Sequence, residues 1–273
     1  MKINRIDMLI GGLFLLVGIY LFVEAPKPLE IQKEAKGELL PIKILFDIVA
    51  HENNVVRSLW TKKIVVSGKN FGLKFDEDWR NKKIEAGPLP ALFLREVSKH
   101  LEKSPIPLSL FLGSDFPISS VNKFEGKQVL AYNKMKKTND SQYFYDADIK
   151  RHTAMYPDYA VSHSCVTCHN EHQDSPKIDW KDNEIMGATT WAYPKEYVTR
   201  DELIATIYAL RTAFGKAYSS FIEKTKTYKI SPKVGTVWPK DAFAVPSLEV
   251  FYARFAELSS AGTVSLLLDQ SPL

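Results

Sequence analysis

The feature that most constrains this chain is the pair of cysteines Cys165 and Cys168, followed at once by His169. They are the only cysteines among 273 residues, which excludes a fold held together by many disulfides. The spacing Cys-x-x-Cys-His is the attachment pattern of haem c. Each thiol adds to one vinyl group along one edge of the porphyrin, and the adjacent imidazole then lies under the iron. We therefore expect one covalently attached haem c, with His169 as the proximal iron ligand.

Three other interpretations of these residues stay open. A zinc site needs four ligands, which His163 and His172 would have to complete. A thioredoxin-like redox pair has the same cysteine spacing, and a plain disulfide would suit an oxidising compartment. We prefer haem because it explains His169 as well as both cysteines.

A sixth iron ligand would tune the reduction potential of such a haem. His152 and Met155 are candidates, because enough chain separates them from the motif to pass over the ring, and solvent is a third. His172 lies so close to His169 along the chain that it would need a tight reversal to reach the opposite face of the haem. We therefore interpret it as a residue that supports the ligand His169. Asn170 could orient His169 or lie at the surface.

The N-terminal segment Met8–Val23 carries no charge and follows Lys2 and Arg5. Its length lies between a signal-peptide core and the ~20 residues of a full span. Pro26 would block cleavage after Ala25, so we expect an uncleaved N-terminal transmembrane helix in contact with membrane lipid. A cleaved signal peptide is the alternative. The positive-inside rule then puts the haem domain on the periplasmic, exported side of the cytoplasmic membrane.

Composition excludes several classes of protein. A hydrophobic content of 45% with 25% charged residues is typical of a folded chain. The net charge of +4 comes without a long block of like charges, so we expect no nucleic acid partner. No carboxylate pair, nucleophile with a base, or phosphate loop accompanies the motif, and we therefore expect no enzyme activity.

Hydrophobic periodicity predicts an α+β domain, with helices around a small antiparallel sheet. The helices are expected over Ile42–Lys62, after Pro88 and Pro90 as far as the residue before Ser104, and behind the capping box formed by Thr199 and Glu202. The expected strands are Leu108–Leu112, Lys127–Asn133, Tyr143–Ile149 and Ile185–Tyr193.

We divide the chain into an N-terminal membrane anchor (1–25), a haem domain with flanking helices (26–228) and a C-terminal extension (229–273). The extension is rich in proline and contains the apolar run Leu266–Leu268. We expect it to pack on the domain, with a partner surface as the other interpretation.

The motif and the residues after it resemble the PAS-like c-type haem-binding sensor family. The segments that carry the resemblance are Cys165–Asn170, His172, Ser175–Lys177, Asp179–Trp180 and Gly187, and more loosely Gly87–Leu94 and Ser114–Pro117. The resemblance implies a PAS-like fold with one haem, two thioethers and ligation by His169. Members of that family are exported sensor modules of histidine kinases, cyclases and chemoreceptors, or stand-alone haem proteins.

These expectations lead to two roles. The first is a membrane-anchored periplasmic monohaem protein that acts in one-electron transfer or haem-based redox sensing. The alternative is a gas or redox sensor that signals through a separate protein. No kinase, cyclase or coiled-coil pattern follows the domain in this sequence, so we expect a redox or signalling membrane complex as partner.

Overall fold

The computed structural model describes residues 12–18, 20, 39–161 and 163–268. They belong to two units, Met1–Glu38 and Leu39–Leu273. In the first unit, residues 12–18 and 20 are helical and exposed. The second unit contains Cys165, Cys168 and His169.

No helix in these described ranges combines the length and the apolar character needed to cross a bilayer. This finding corrects the predicted transmembrane helix. Of that segment, Met8–Val23, only residues 12–18 and 20 belong to the described part, and the rest lies outside it.

The described part of the second unit has seven α-helices and ten strands. The helices are α1 Ile42–Leu59, α2 Ser67–Lys69, α3 Pro90–Glu102, α4 Gly126–Thr138, α5 His163–Glu171, α6 Arg200–Thr225 and α7 Leu248–Leu268. A π-helical segment, Trp60–Val66, continues α1 into α2. The strands are β1 Leu40–Pro41, β2 Phe75–Asp76, β3 Gly87–Pro88, β4 Ser109–Gly113, β5 Gln142–Asp146, β6 Arg151–Tyr159, β7 Ile185–Tyr193, β8 Tyr197–Val198, β9 Lys233–Gly235 and β10 Ala244–Pro246.

The largest sheet has four antiparallel strands in the order β4-β7-β6-β5. Met155 of β6 lies opposite Thr190 of β7 on one side and Gln142 of β5 on the other. The register of β6 and β7 shifts between Asp158 and Tyr159, which is typical of a β-bulge. The α+β class predicted from the sequence is confirmed, and so is the strand Ile185–Tyr193.

The main core lies between one face of this sheet and the helices α1, α3, α6 and α7. Trp60 is fully buried there and stacks on Phe93 with ring centroids 4.5 Å apart. The capping box predicted at Thr199 and Glu202 is present: Thr199 Oγ1 accepts from the Glu202 N–H at 3.2 Å, and the Thr199 N–H donates to the Glu202 carboxylate at 3.0 Å. This box begins the 26-residue helix α6.

The opposite face of the sheet is covered by α4. Tyr132 and Met135, one helical turn apart, are buried against Met155 of β6. The strand predicted over Lys127–Asn133 is therefore wrong, because the segment forms a helix. That helix ends at Asn139, which adopts the left-handed conformation at φ 58°.

Helix α7, from the predicted C-terminal extension, packs on α1 and α6. Phe251 stacks on Tyr218 with ring centroids 4.0 Å apart. The fully buried carboxylate of Glu52 on α1 accepts two hydrogen bonds from Arg211 of α6 and one from Thr263 of α7. These contacts tie the three helices together.

Candidate functional site

The cysteine motif lies on α5, a helix that the sequence analysis did not predict. Cys165, Cys168 and His169 occupy positions i, i+3 and i+4, so they share one face of the helix. Cys165 is partly buried, Cys168 is exposed, and the two are not joined by a disulfide. The arrangement presents two thiols and an imidazole side by side, as attachment to one edge of a porphyrin requires.

A small apolar cluster holds the back of α5. Val166, 8% exposed, packs with Ala160 and Trp180, and Cys165 and Met186 lie against them. Met186 belongs to β7, so the cluster seats the motif helix at the start of that strand.

Asn170 ties the segment after the helix to the motif. Its amide Nδ2 donates to the carbonyl of Trp180 at 3.1 Å, and the Trp180 N–H donates to its Oδ1 at 2.9 Å. The Lys177 ammonium lies 4.1 Å from the centre of the Trp180 ring and pairs with Asp179 at 2.6 Å and Glu184 at 3.3 Å. Asn170, which the sequence offered as an orienting group for His169, therefore anchors a loop instead.

His169 is half-buried on this face. Its Nδ1 atom is buried and has no hydrogen-bond partner among the described residues. Burial, and to a lesser degree His172, lowers the pKa of His169 below its ordinary 6.5. The ring is therefore neutral at pH 7 and keeps one nitrogen lone pair for a metal. An unpartnered imidazole beside two thiols fits the haem c ligand set.

Glu77, from the turn after β2, adds a polar group that the sequence did not indicate. Its carboxylate lies 2.7 Å from His172 Nε2, although 95 residues separate the two. The Asp174 N–H donates to His172 Nδ1 at 3.1 Å, so the proton of a neutral His172 is on Nε2 and faces Glu77. Burial, followed by the charge of Glu77, raises the pKa of the Cys168 thiol above 9.0.

The two predicted candidates for a sixth ligand lie away from this cluster. Met155 is fully buried in the apolar layer under α4. The His152 ring packs on Tyr145 at 4.9 Å, near the opposite end of β6 from α5. At ~3.3 Å per residue, the strand separates His152 from Tyr159 by about 23 Å. The structure therefore does not bring His152 to the face of α5, and both ligand assignments stay predictions.

Exposed apolar side chains surround the motif cluster. Val161 is 71% exposed, Ile178 is 68% exposed and Phe116 is 42% exposed. Val161 precedes α5, Ile178 lies two residues before Trp180, and the Phe116 ring meets Trp180 edge-on at 6.3 Å. Apolar exposure of this kind beside reactive groups is typical of a surface that a ligand covers.

Within the part of the chain that the structure describes, no three or more His, Cys, Asp or Glu side chains gather in a way that could hold a metal ion. This finding contradicts the expectation, drawn from the motif, that the chain is a metal-binding protein, and it gives no support to the zinc alternative. The expected haem thus rests on the motif and on the face of α5.

Comparison with known protein families gives a match. A search of curated proteins and a search of solved structures found no significant similarity. The family model described as Tll0287-like (Tll0287) matches residues 42–194, which is more than half of the chain. This match overturns the resemblance to the PAS-like c-type haem-binding sensor family, which is a different family. The matched range contains the main sheet and α5, and we conclude that the chain belongs to the Tll0287-like family.

Proposed function

We propose that this chain is a monohaem c-type protein that exchanges single electrons with a partner complex. In this proposal Cys165 and Cys168 carry the two thioethers and His169 ligates the iron. The observation that supports it best is the shared face of α5, where Cys165 and Cys168 lie beside the half-buried imidazole of His169.

The attachment chemistry needs no outside oxidant or reductant. Each thiol adds across one vinyl group: a sulfur–carbon bond forms, the carbon–carbon double bond becomes single, and the thiol hydrogen goes to the neighbouring carbon. Cys168 is exposed, so its thiol is accessible for this addition. Haem c, when bound, supplies a one-electron iron couple.

The residues around α5 support the two roles of the motif, which are anchoring and ligation. Val166 and Trp180 pack in one apolar cluster that holds α5 in place. This packing fixes the orientation of His169. The apolar side chains Val161, Ile178 and Phe116 offer a water-excluding surface for the porphyrin. A low-dielectric environment of this kind is one of the means by which a protein sets the reduction potential of a haem.

Localisation is part of the proposal. Bacterial haem c is attached on the outer side of the cytoplasmic membrane, so the domain is proposed to be exported. When the outer membrane of the cells is made permeable and the cytoplasmic membrane is left intact, added protease should then cleave the domain.

Optical spectroscopy of the purified full chain tests this function. We expect a reduced-minus-oxidised spectrum of low-spin haem c that carbon monoxide changes only slowly. The variant His169→Ala should lose the low-spin spectrum. The matched control His163→Ala, whose side chain is 83% exposed, should keep it.

Two results would contradict the electron-transfer proposal. The absence of any haem absorbance would remove it altogether. Rapid carbon monoxide binding to the unaltered protein would favour the gas-sensor alternative, because a sensor needs an exchangeable coordination position.

A further inference from the structure

We propose that the main sheet carries a second ligand site, which takes a small organic carboxylate with an apolar body. The site is a cavity of about 230 Å³ over β4, β7 and β6. The lining residues that carry the argument are Ser109, Phe111, Gln128, Arg151, Thr153 and Thr190. The proposal does not depend on the haem.

The cavity exists because α4 covers only part of the sheet. Tyr132 and Met135 pack over Met155, but Thr153 lies one pleat further along β6 on the same face. Thr153 lies near the first turn of α4, and Gln128 is the residue of α4 that lines the cavity. The floor consists of small side chains, which do not fill the gap.

Thr190 provides the observation that points to a ligand. It is 3% exposed, and its Oγ1 has no hydrogen-bond partner among the described residues. The neighbouring hydroxyl of Thr153, 1% exposed, reaches only the Arg151 carbonyl at 3.5 Å, which is too long for a strong hydrogen bond. Buried hydroxyls normally have partners, so two poorly satisfied ones on one cavity floor indicate a missing acceptor.

Arg151 gives the charge of that acceptor. Its guanidinium donates to the Pro107 carbonyl at 2.6 Å. No ion pair within 4.0 Å links it to a carboxylate of the described residues, in contrast to Arg57, Arg80 and Arg211. Its remaining N–H donors match the two oxygens of a carboxylate.

The walls give the body of the ligand. Phe111, Ile149 and Ala192 form an apolar part of the lining. At ~30 Å³ for each water of the liquid, the cavity has room for a ligand of roughly eight non-hydrogen atoms. A short-chain or aromatic monocarboxylate meets both requirements.

Benzoate and butyrate are suitable probes, with benzamide and butyramide as uncharged controls. We expect both acids to raise the melting temperature of the full-length protein and to bind in calorimetric titration, whereas both amides should bind at least tenfold more weakly. Arg151→Gln should remove the preference for acid over amide. Lys134→Gln, a charge change on the exposed side of α4, should leave it unchanged.

Thr190→Val separates a ligand-binding role from a structural one. Valine has nearly the same shape and removes an unpartnered hydroxyl, so the ligand-free variant should melt at the same or a higher temperature than the wild type. Its affinity for benzoate should nevertheless fall at least tenfold. Cys165→Ala should bind benzoate normally, which makes this test independent of haem attachment.

Two outcomes would overturn the proposal. The first is that neither acid binds more tightly than its amide. The second is that Thr190→Val lowers the melting temperature of the ligand-free protein and leaves benzoate binding unchanged, because the hydroxyl would then have a structural partner. Circular dichroism shows whether each variant folds. If Arg151→Gln loses binding because it is misfolded, the benzoate affinity and the melting temperature of Thr190→Val decide the test.

Discussion

The side chain of Asn170 and the backbone of Trp180 form a two-way hydrogen bond, with Nδ2 donating to the Trp180 carbonyl and the Trp180 N–H donating to Oδ1. Asn170 directly follows the imidazole of the motif, and Trp180 packs on Val166 behind it. The pair therefore closes the loop after α5 onto the helix that carries both cysteines.

Asn170→Ala should loosen this loop. Both hydrogen bonds are lost and the backbone groups of Trp180 lose their partners, which should reduce the free energy of unfolding by about 1–3 kcal/mol. Urea denaturation followed by tryptophan fluorescence measures the change. Asn170→Asp keeps the acceptor and loses the donor, so it should lie in between. Asn133→Ala, at an exposed position of α4, is the control and should cost little.

Gly187→Ala should disturb the strand that supports the site. A Cβ at Gly187 would lie 2.5 Å from the carbonyl oxygen of Gly113 on β4, and a backbone atom cannot move aside easily. We expect a loss of about 1–3 kcal/mol in the free energy of unfolding. Gly235→Ala, where no atom lies within 4 Å of the added Cβ, is the matched control. Equal stability of the two variants would show that β4 and β7 separate without cost.

His100 on α3 should make the fold sensitive to acid. Burial lowers its pKa below the ordinary 6.5, against the opposing charge of Glu96 and with Lys103, Lys216 and Arg80 also lowering it. The unfolded chain therefore takes up a proton near pH 6.5 before the folded one does, so the free energy of unfolding falls as the pH drops below about 6.5.

The variant His100→Asn tests this dependence. The wild type should lose more stability between pH 7.5 and pH 5.5 than the variant does, as measured by urea denaturation at both values. His163→Asn, at an exposed position, should behave like the wild type. Parallel losses in the wild type and in His100→Asn would contradict the assignment.

The sequence predicted those elements whose signal is local. Thr199 and Glu202 satisfy each other within one turn, and Ile185–Tyr193 is rich in β-branched and aromatic residues. The strand predicted over Lys127–Asn133 failed because periodicity alone cannot tell whether a short apolar run such as Val129–Tyr132 belongs to a strand or to a helix. The buried pair Tyr132 and Met135 and the cap at Asn139 decide for a helix.

Strand β6 was not predicted, and it contains Pro157, a residue that argues against a central strand. The sheet explains how the proline is accommodated. β5 pairs only with Arg151–Met155, so at Pro157 strand β6 pairs with Ala188 of β7 and is an edge on the side of β5. A proline is tolerated at such an edge. The length of the neighbouring strand β5 is a property of the tertiary fold, which the local sequence of β6 does not encode.

The candidate site divides in the same way. The motif spacing identified Cys165, Cys168 and His169, since those residues are adjacent in the chain. The contact of Glu77 with His172 depends on segments that only folding brings together. The same holds for the exposed apolar side chains around the motif, such as Phe116 against Trp180. No spacing rule reaches across 95 residues.

Covalent haem attachment is tested by the intact mass of the purified full chain under denaturing conditions. The account predicts the mass of the polypeptide plus one haem, with colour that stays on the protein through acid-acetone extraction. The double variant Cys165→Ala/Cys168→Ala should have the mass of the polypeptide alone. A wild-type protein with the bare polypeptide mass, or with haem that acid-acetone removes completely, would contradict the account.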